Sequence, residues 1–151
     1  MKKSAQINLA TLYAGRARHA IDGSNRIMLP AGWRPDGAPT QFFVVVVSLD
    51  EHLLVCPPAA FEAFLADLRA DTADKDEIPK LERELNERVQ QVSLDGYGRL
   101  PLKSEFMARA GIEKQGEIVG RFSKFEIWAC DKYEKSNPNR KTKAKPLTPK
   151  R

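Results

Sequence analysis

Apolar residues recur along this chain in short strand-like runs and in two helix-like stripes. The longest run, residues 42–47, is short and β-branched, and a second run follows at 53–55. We therefore predict a strand hairpin across them, which ends at Pro57 and Pro58. Apolar residues at helical spacing then predict two amphipathic helices. The stripe positions are Phe61, Phe64, Leu65 and Leu68 in the first helix, and Ile78, Leu81 and Leu85 in the second.

Two other stretches, residues 20–27 and 93–100, share one order of residue types. Each reads apolar residue, Asp, Gly, any residue, a residue that tolerates positive φ, Arg, apolar residue. Asp can accept a hydrogen bond from the backbone two residues on, and Gly and Asn tolerate the left-handed region. We therefore predict two tight turns between strands. Their turn-forming residues are Asp22, Gly23 and Asn25 in the first, and Asp95, Gly96 and Gly98 in the second.

The similarity between the two stretches extends beyond the turns. The turn aspartates are separated by 95 − 22 = 73 residues, and Trp33 matches Phe106 at the same offset. Phe61 matches Tyr133 at an offset of 72. Such a fixed offset indicates an internal duplication. Each copy is predicted to contain a hairpin, a short helical or irregular piece, a second hairpin and the start of a helix.

The duplication divides the chain into five predicted segments. Residues 1–12 show little periodicity and are predicted to be a flexible arm. Residues 13–60 and 90–134 form the two modules, and residues 61–89 form a helical insert between them. Residues 135–151 are rich in Pro, Lys and Asn, a composition typical of a disordered tail.

The second copy carries a resemblance to a known family, through residues 94–100, 110–112 and 125–128. It resembles the MraZ family of bacterial transcriptional regulators, and the resemblance covers roughly residues 13–134. It implies a fold that is mainly β with helices (α+β). Two tandem SpoVT/AbrB-type modules, each an AbrB-like swapped-hairpin half-barrel, would form one pseudo-twofold barrel with the helical insert between them.

This sequence departs from the family pattern in both modules. Asn25 stands where the family usually has Gly, and Lys103 stands where a Pro normally closes the strand, with Pro101 two positions earlier. Pro101 lacks a backbone donor, which predicts an edge position for its strand. Gly and Pro crowd residues 32–39, which disfavours a short helix in the first module.

Composition bounds the class of protein. A hydrophobic content of 42% is sufficient for a globular core. No apolar run approaches the roughly 18 residues of a membrane span, and the two N-terminal lysines precede no apolar block of signal-peptide length. We therefore predict a cytoplasmic protein, and the family resemblance implies that it is nucleoid-associated. Cys56 and Cys130 have no metal-binding spacing and are interpreted as buried or incidental thiols in a reducing compartment.

The net charge of +5 is unevenly distributed. Residues 136–151 contain six basic and no acidic residues, so the remaining 135 residues sum to −1. Residues 1–49 carry a net charge of +4 and residues 50–89 a net charge of −6. A body with one basic and one acidic region indicates a directed surface rather than general affinity for polyanions.

An arginine follows each predicted turn, and its planar fork suits a phosphate or a guanine edge. The resemblance implies that the two turns contribute to a DNA-contacting surface, which assigns DNA contacts to Arg26 and Arg99. Charge and position add Arg16 and Arg18, on one face of the strand before the first turn, and Lys103. The alternatives are that each turn arginine only pairs with its own Asp, and that Arg16 and Arg18 only protect an edge strand.

These observations favour a sequence-specific DNA-binding transcriptional regulator. The resemblance implies ring-shaped homo-oligomers that bind double-stranded DNA at short direct repeats, in the promoter of the division and cell-wall gene cluster. The second hypothesis is a non-enzymatic oligomeric scaffold or protein-interaction module with only non-specific DNA affinity. An enzyme is the weakest reading, because the sequence shows no nucleophile–base set, phosphate loop or metal cluster. We expect no cofactor, no metal, no small-molecule substrate and no membrane partner. Subunit number, operator sequence and the sign of regulation stay open.

Overall fold

The computed structural model describes residues 11–47 and 52–136. The predicted arm and tail lie outside these residues, apart from 11, 12, 135 and 136. The first copy contains strands β1 (Arg16–Ala20), β2 (Arg26–Met28), β3 (Gln41–Val46) and β4 (His52–Cys56). Helices α1 (Pro58–Ala70) and α2 (Ile78–Asn86) follow. The second copy contains β5 (Val89–Ser93), β6 (Arg99–Pro101), α3 (Ser104–Ala110), β7 (Gln115–Gly120), β8 (Phe125–Ala129) and α4 (Cys130–Ser136).

The described strands form two antiparallel sheets, and the two copies exchange strands in both. The larger sheet has the order β1-β7-β8-β4-β3-β5, and the smaller sheet pairs β2 with β6. The first strand of each copy therefore pairs with the second hairpin of the other copy. This exchange confirms the predicted α+β fold of two tandem swapped-hairpin modules.

The strand register shows a local twofold relation at the centre of each sheet. Ile27 pairs with Leu100, its own counterpart at an offset of 73. Leu54 pairs with Glu126, its counterpart at an offset of 72. A residue that faces its own repeat partner in an antiparallel ladder lies on a twofold axis. Each sheet is thus centred on such an axis, as expected of a duplicated half-barrel.

The two strands that flank each turn pair with each other only next to the turn, whereas the strands of a regular hairpin pair along their length. The Asp22 N–H donates to the Arg26 carbonyl at 2.9 Å, and the Asp95 N–H donates to the Arg99 carbonyl at 3.0 Å. Ile21 and Ile27 add one isolated bridge. Beyond these bonds, β1 pairs with β7 while β2 pairs with β6. The ladder partners of each turn strand belong to the other copy, so the two strands diverge.

An aromatic group fills the interior between the two sheets. Tyr13, Trp33, Phe42 and Phe125 are all buried, with ring centroids 5.1 to 6.3 Å apart. The Trp33 indole N–H donates to the Ala14 carbonyl at 2.9 Å, which satisfies the polar atom of this buried ring. The four rings share one buried core with Ile27 and Leu100 of the smaller sheet.

The opposite face of the larger sheet is covered by the helical insert. Val45, Leu54 and Cys56 form a second buried cluster, against which Phe61, Phe64 and Leu85 pack. Phe61 also stacks on Phe43 at a centroid distance of 4.2 Å. Burial on both faces explains the continuous apolar run of β3, which does not alternate as a half-exposed strand does.

The helices differ between the two copies as their sequences predict. The first copy has only a 3-10 turn, Ala31–Trp33, where the second has the longer helix α3. The Gly- and Pro-rich segment after Trp33 cannot continue a helix. Between α1 and α2, residues Lys75–Glu77 form a 3-10 helix that leads into Ile78.

Candidate nucleic-acid interface

The two turns have the same backbone structure. Oδ1 of Asp22 accepts hydrogen bonds from the backbone N–H groups of Ser24 and Arg26, each at 2.9 Å. Oδ1 of Asp95 accepts from the N–H groups of Tyr97 and Arg99, again at 2.9 Å. The fourth turn position is left-handed in both, with φ of 60° at Asn25 and 84° at Gly98. Gly23 and Gly96 occupy the matching positions after each Asp, with open space where a Cβ would lie. The aspartates thus hold both turns rigidly.

The short β2–β6 ladder brings the two turns side by side. The Leu29 N–H donates to the Gly98 carbonyl at 3.1 Å, and the Leu102 N–H donates to the Asn25 carbonyl at 2.8 Å. These two bonds are repeat-related, since each joins residues offset by 73 from those of the other. The ladder therefore fixes the distance between the two turn arginines.

Arg26 and Arg99 each contact both turn aspartates. Nε of Arg26 lies 3.0 Å from Oδ2 of Asp22, and its Nη1 lies 3.3 Å from Oδ2 of Asp95. Nε of Arg99 lies 2.8 Å from Oδ2 of Asp95, and its Nη1 lies 3.6 Å from Oδ2 of Asp22. We call these four residues the turn quartet. The predicted pairing of each arginine with its own Asp is present, and a cross-contact to the other turn accompanies it.

The quartet is ionised, rigid and partly open to solvent. Burial works to raise the pKa of Asp22, but hydrogen bonds from Arg26 and Ser24 outweigh it and the pKa is lowered. The backbone N–H of Arg99 is the main cause that lowers the pKa of Asp95. The arginine side chains are 31% and 27% exposed, and no Nη2 atom of the pair donates to another described residue. Each guanidinium is therefore held in place with donors to spare for an external acceptor.

Arg16 and Arg18, which charge and position suggest as DNA contacts, both pair with an acidic side chain of the second copy. Nη1 of Arg16 lies 2.6 Å from Glu117 Oε2, and Nε of Arg18 lies 2.9 Å from Glu117 Oε1. Glu117, on the neighbouring strand β7, is only 1% exposed. Arg18 also reaches Glu134 of α4 at 3.2 Å. Because a buried carboxylate needs compensating charge, these arginines neutralise Glu117, and no described contact joins them to the turn quartet.

Lys103 lies just beyond β6, as the residue that precedes α3. Its Nζ is 5.4 Å from the centre of the Phe106 ring, and the residue is exposed. The structure thus brings together Arg26 and Arg99, leaves Lys103 on an adjoining segment, and places Arg16 and Arg18 with different partners.

Two side chains at the second turn were not predicted from the sequence. Tyr97 is 72% exposed, and the guanidinium carbon of Arg99 lies 4.9 Å from its ring centre. Arg34 packs its guanidinium against Gly98, so closely that a Cβ there would lie 2.5 Å from Arg34 Nη1. Tyr97 occupies the position where the motif allows any residue, so the motif could not single it out as a site residue. Arg34 could have been noticed as an arginine whose counterpart at offset 73 is the apolar Met107.

Other kinds of site receive no support from the described residues. Within residues 11–47 and 52–136, no three His, Cys, Asp or Glu side chains are grouped so that they could hold a metal ion. None of the helices described there has the length and apolar run needed to cross a membrane.

Two tandem swapped-hairpin modules, paired through their arginine-bearing turns, define a tandem barrel of the SpoVT/AbrB type. Comparison with known proteins agrees. A family model described as "MraZ protein, putative antitoxin-like" matches residues 12–82 and 87–145. The chain belongs to the MraZ family of transcriptional regulators.

Individual relatives are similar over most of their length. The chain is 33% identical over 119 residues to the transcriptional regulator MraZ of Symbiobacterium thermophilum, across 79% of this chain and 85% of that protein. It is 29% identical over 126 residues to the transcriptional regulator MraZ of Lachnoclostridium phytofermentans, across 83% and 87%. A third MraZ, from Chlorobium phaeovibrioides, is 29% identical over 129 residues.

Proposed function

We propose that this protein is a sequence-specific DNA-binding transcriptional regulator and that Arg26 and Arg99 contact the DNA. The observation that carries the proposal is the turn quartet, which holds two guanidinium groups at a fixed spacing on rigid turns. A fixed planar fork can bind one base edge or one phosphate in one geometry, whereas a flexible basic segment supplies only general attraction. Lys103, on the segment next to β6, adds a phosphate contact.

In this proposal, several chains of a homo-oligomer bind the DNA together. One quartet offers few contacts, so a single chain binds DNA weakly. A ring-shaped homo-oligomer presents several quartets to successive direct repeats, and linked contacts raise the avidity. The promoter of the division and cell-wall gene cluster is the target that the family resemblance implies. Arg16 and Arg18 remain candidate phosphate contacts, although their ion pairs with Glu117 reduce the donors they can offer.

The scaffold hypothesis has one observation in its favour. The quartet is neutral in sum, and Arg16 and Arg18 are also matched by acids. If these arginines pair only with carboxylates of the same chain, the protein would bind any DNA with equal, weak affinity.

Direct binding separates the two functions. We expect the protein to bind the DNA upstream of its own coding sequence more tightly than scrambled DNA at several salt concentrations. Arg99→Ala should lower affinity for the upstream DNA by about 1–3 kcal/mol, and Arg99→Lys should restore little, because lysine lacks the planar fork. Equal affinity of the wild type for both DNAs would favour the scaffold.

A matched control variant removes the same charge elsewhere. Arg69 on α1 pairs with Glu82 at 2.8 Å on an exposed surface, so Arg69→Ala should leave the preference for upstream DNA unchanged. The quartet side chains are partly exposed and screened by solvent, so losing one pair should lower folding stability only slightly. If Arg99→Ala instead melts much earlier and retains its preference, the arginine only locks its turn.

A further inference from the structure

The two turns share a backbone, but their side chains make them unequal. Tyr97 of the second turn corresponds to Ser24 of the first at offset 73. Tyr97 is 72% exposed, more than any other large apolar side chain among the described residues. It stands beside the Arg99 guanidinium, 4.9 Å from ring centre to Cζ. The second turn therefore ends in an aromatic ring where the first ends in a hydroxyl group.

Arg34 makes the difference larger. Its guanidinium occupies the space that a side chain at Gly98 would need, and its Nε donates to the Leu29 carbonyl at 3.2 Å. The first turn has neither feature, because Asn25 carries a side chain at the Gly98 position and the counterpart of Arg34 is Met107, which is buried.

Charge follows the same division. The four members of the turn quartet cancel, whereas Arg34 forms no ion pair with a carboxylate in the described part of the chain. Its charge adds to the second turn alone. The second turn thus has an additional positive charge and an aromatic ring beside it. The first turn has neither.

We infer that Tyr97 and Arg34 contact DNA beside Arg99, so that the second turn sets most of the sequence preference and the two turns of one chain read unequal half-sites. This inference rests on the proposed DNA-binding function. A tyrosine ring offers an apolar surface for a thymine methyl group, and a second guanidinium offers another fork for a guanine edge or a phosphate. Neither contact is possible at the first turn.

The test compares the ratio of affinities for upstream and scrambled DNA in full-length variants. Tyr97→Ser gives the second turn the residue of the first turn, and Arg34→Met replaces Arg34 by the residue type of its counterpart Met107. Each should lower the ratio on the order of 10-fold, as the loss of one specific contact does. Tyr97→Phe should retain the ratio because it keeps the ring. Phe122, whose exposed ring lies at the β7–β8 turn, provides the control, and Phe122→Asn should change nothing.

A transplant makes the test stricter. Adding Ser24→Tyr to Tyr97→Ser moves the ring to the first turn, which lacks the Arg34 charge, and should not restore the ratio. Full restoration would overturn the inference, and so would an unchanged ratio in both Tyr97→Ser and Arg34→Met. A change in sedimentation of Tyr97→Ser would instead assign the ring to a subunit contact and also overturn it.

The failure of this inference is distinguishable from failure of the proposed function. If the wild type shows no preference for upstream DNA, both fall together. If the wild type is selective and only the Arg99 variants lose selectivity, the proposed function stands. The inference that Tyr97 and Arg34 make the second turn dominant is then rejected. Melting curves on each variant, with Arg34→Lys beside Arg34→Met, show whether lost binding reflects lost folding.

Discussion

At the scale of single residues, Gly98 combines a left-handed backbone with a crowded Cβ position. It has φ of +84°, and a Cβ would lie 2.5 Å from Arg34 Nη1. Gly37 has the same φ of +84° with nothing within 4 Å of its Cβ position. The two glycines therefore share one backbone constraint and differ in the contact with Arg34.

We predict that Gly98→Ala destabilises the protein more than Gly37→Ala does. The left-handed backbone should cost each variant about 1 kcal/mol, and displacement of Arg34 should add about 1 kcal/mol at Gly98 alone. Urea denaturation of both variants measures the difference. Adding Arg34→Ala to Gly98→Ala should remove the excess, and an excess that persists would mean that Arg34 is not its cause.

Glu126 on β8 is a nearly buried carboxylate within a group of donors. It accepts hydrogen bonds from Trp128 Nε1 at 2.8 Å and Arg121 Nη1 at 3.1 Å, and His52 Nε2 lies 3.3 Å away. Burial alone would raise its pKa. The hydrogen bonds from His52 and Trp128 and the charges of His52 and Arg121 outweigh burial and lower the pKa from 4.5 to about 2.

This lowered pKa predicts a pH dependence of stability. A carboxylate with a lowered folded-state pKa stabilises the fold above its unfolded value, and that contribution is lost as the pH falls toward the folded value. Glu126→Gln should therefore lose about 1–3 kcal/mol of unfolding free energy at neutral pH, and the gap from wild type should shrink between about pH 5 and 2. Exposed Glu113→Gln serves as the control. A gap that stays constant with pH would contradict the assignment.

Residue-scale prediction from sequence succeeded where the interaction is local. Asp22 bonds to backbone groups two and four residues away, so the local pattern contains the whole turn. The partner of Arg16 and Arg18 is Glu117, which lies 101 and 99 residues further on. No local pattern encodes that distance, so the sequence could not show that an acidic residue lies beside these two arginines, and their assignment as DNA contacts stays a prediction.

At the scale of elements, the duplication predicted which pieces recur, and the strand exchange decided how they pair. The exchange places β1 against β7 and β5 against β3, which a hairpin signal in one copy cannot show, because it reports only neighbours in sequence. The missing helix of the first copy was predictable, since glycine and proline act on the local backbone. The apolar stripes of the helical insert predict its helices, but they do not show which surface each stripe contacts.

The insert packs on its own sheet with Phe61, Phe64 and Leu85, which accounts for part of its apolar stripe. Leu65 is half-buried and is not among the residues that pack on that cluster. If the proposed homo-oligomer uses the rest of this stripe, Leu65→Glu should yield smaller species in sedimentation while the fold persists. Ala66→Glu, an exposed substitution one residue on, should leave the oligomer unchanged. An intact oligomer in folded Leu65→Glu would restrict the insert to covering its own barrel.

At the scale of the whole molecule, charge is divided between a folded body and the C-terminal segment. Residues 137–151, which lie outside the described residues, contain six basic and no acidic residues. Helix α4 ends at Ser136, so a deletion that starts at 137 leaves every described element intact. The turn quartet and this segment can therefore be tested separately.

We predict that deleting residues 137–151 weakens binding to all DNA by a similar factor. Lysine and arginine side chains attract DNA phosphates regardless of base sequence, so losing six of them should flatten the dependence of affinity on salt and leave the ratio of upstream to scrambled affinity unchanged. Arg99→Ala should do the reverse, lowering the ratio while changing the salt slope by about one phosphate contact at most. Replacing the six basic residues by Gln controls for chain length. A deletion that abolished the preference for upstream DNA would move sequence recognition from the quartet to the tail.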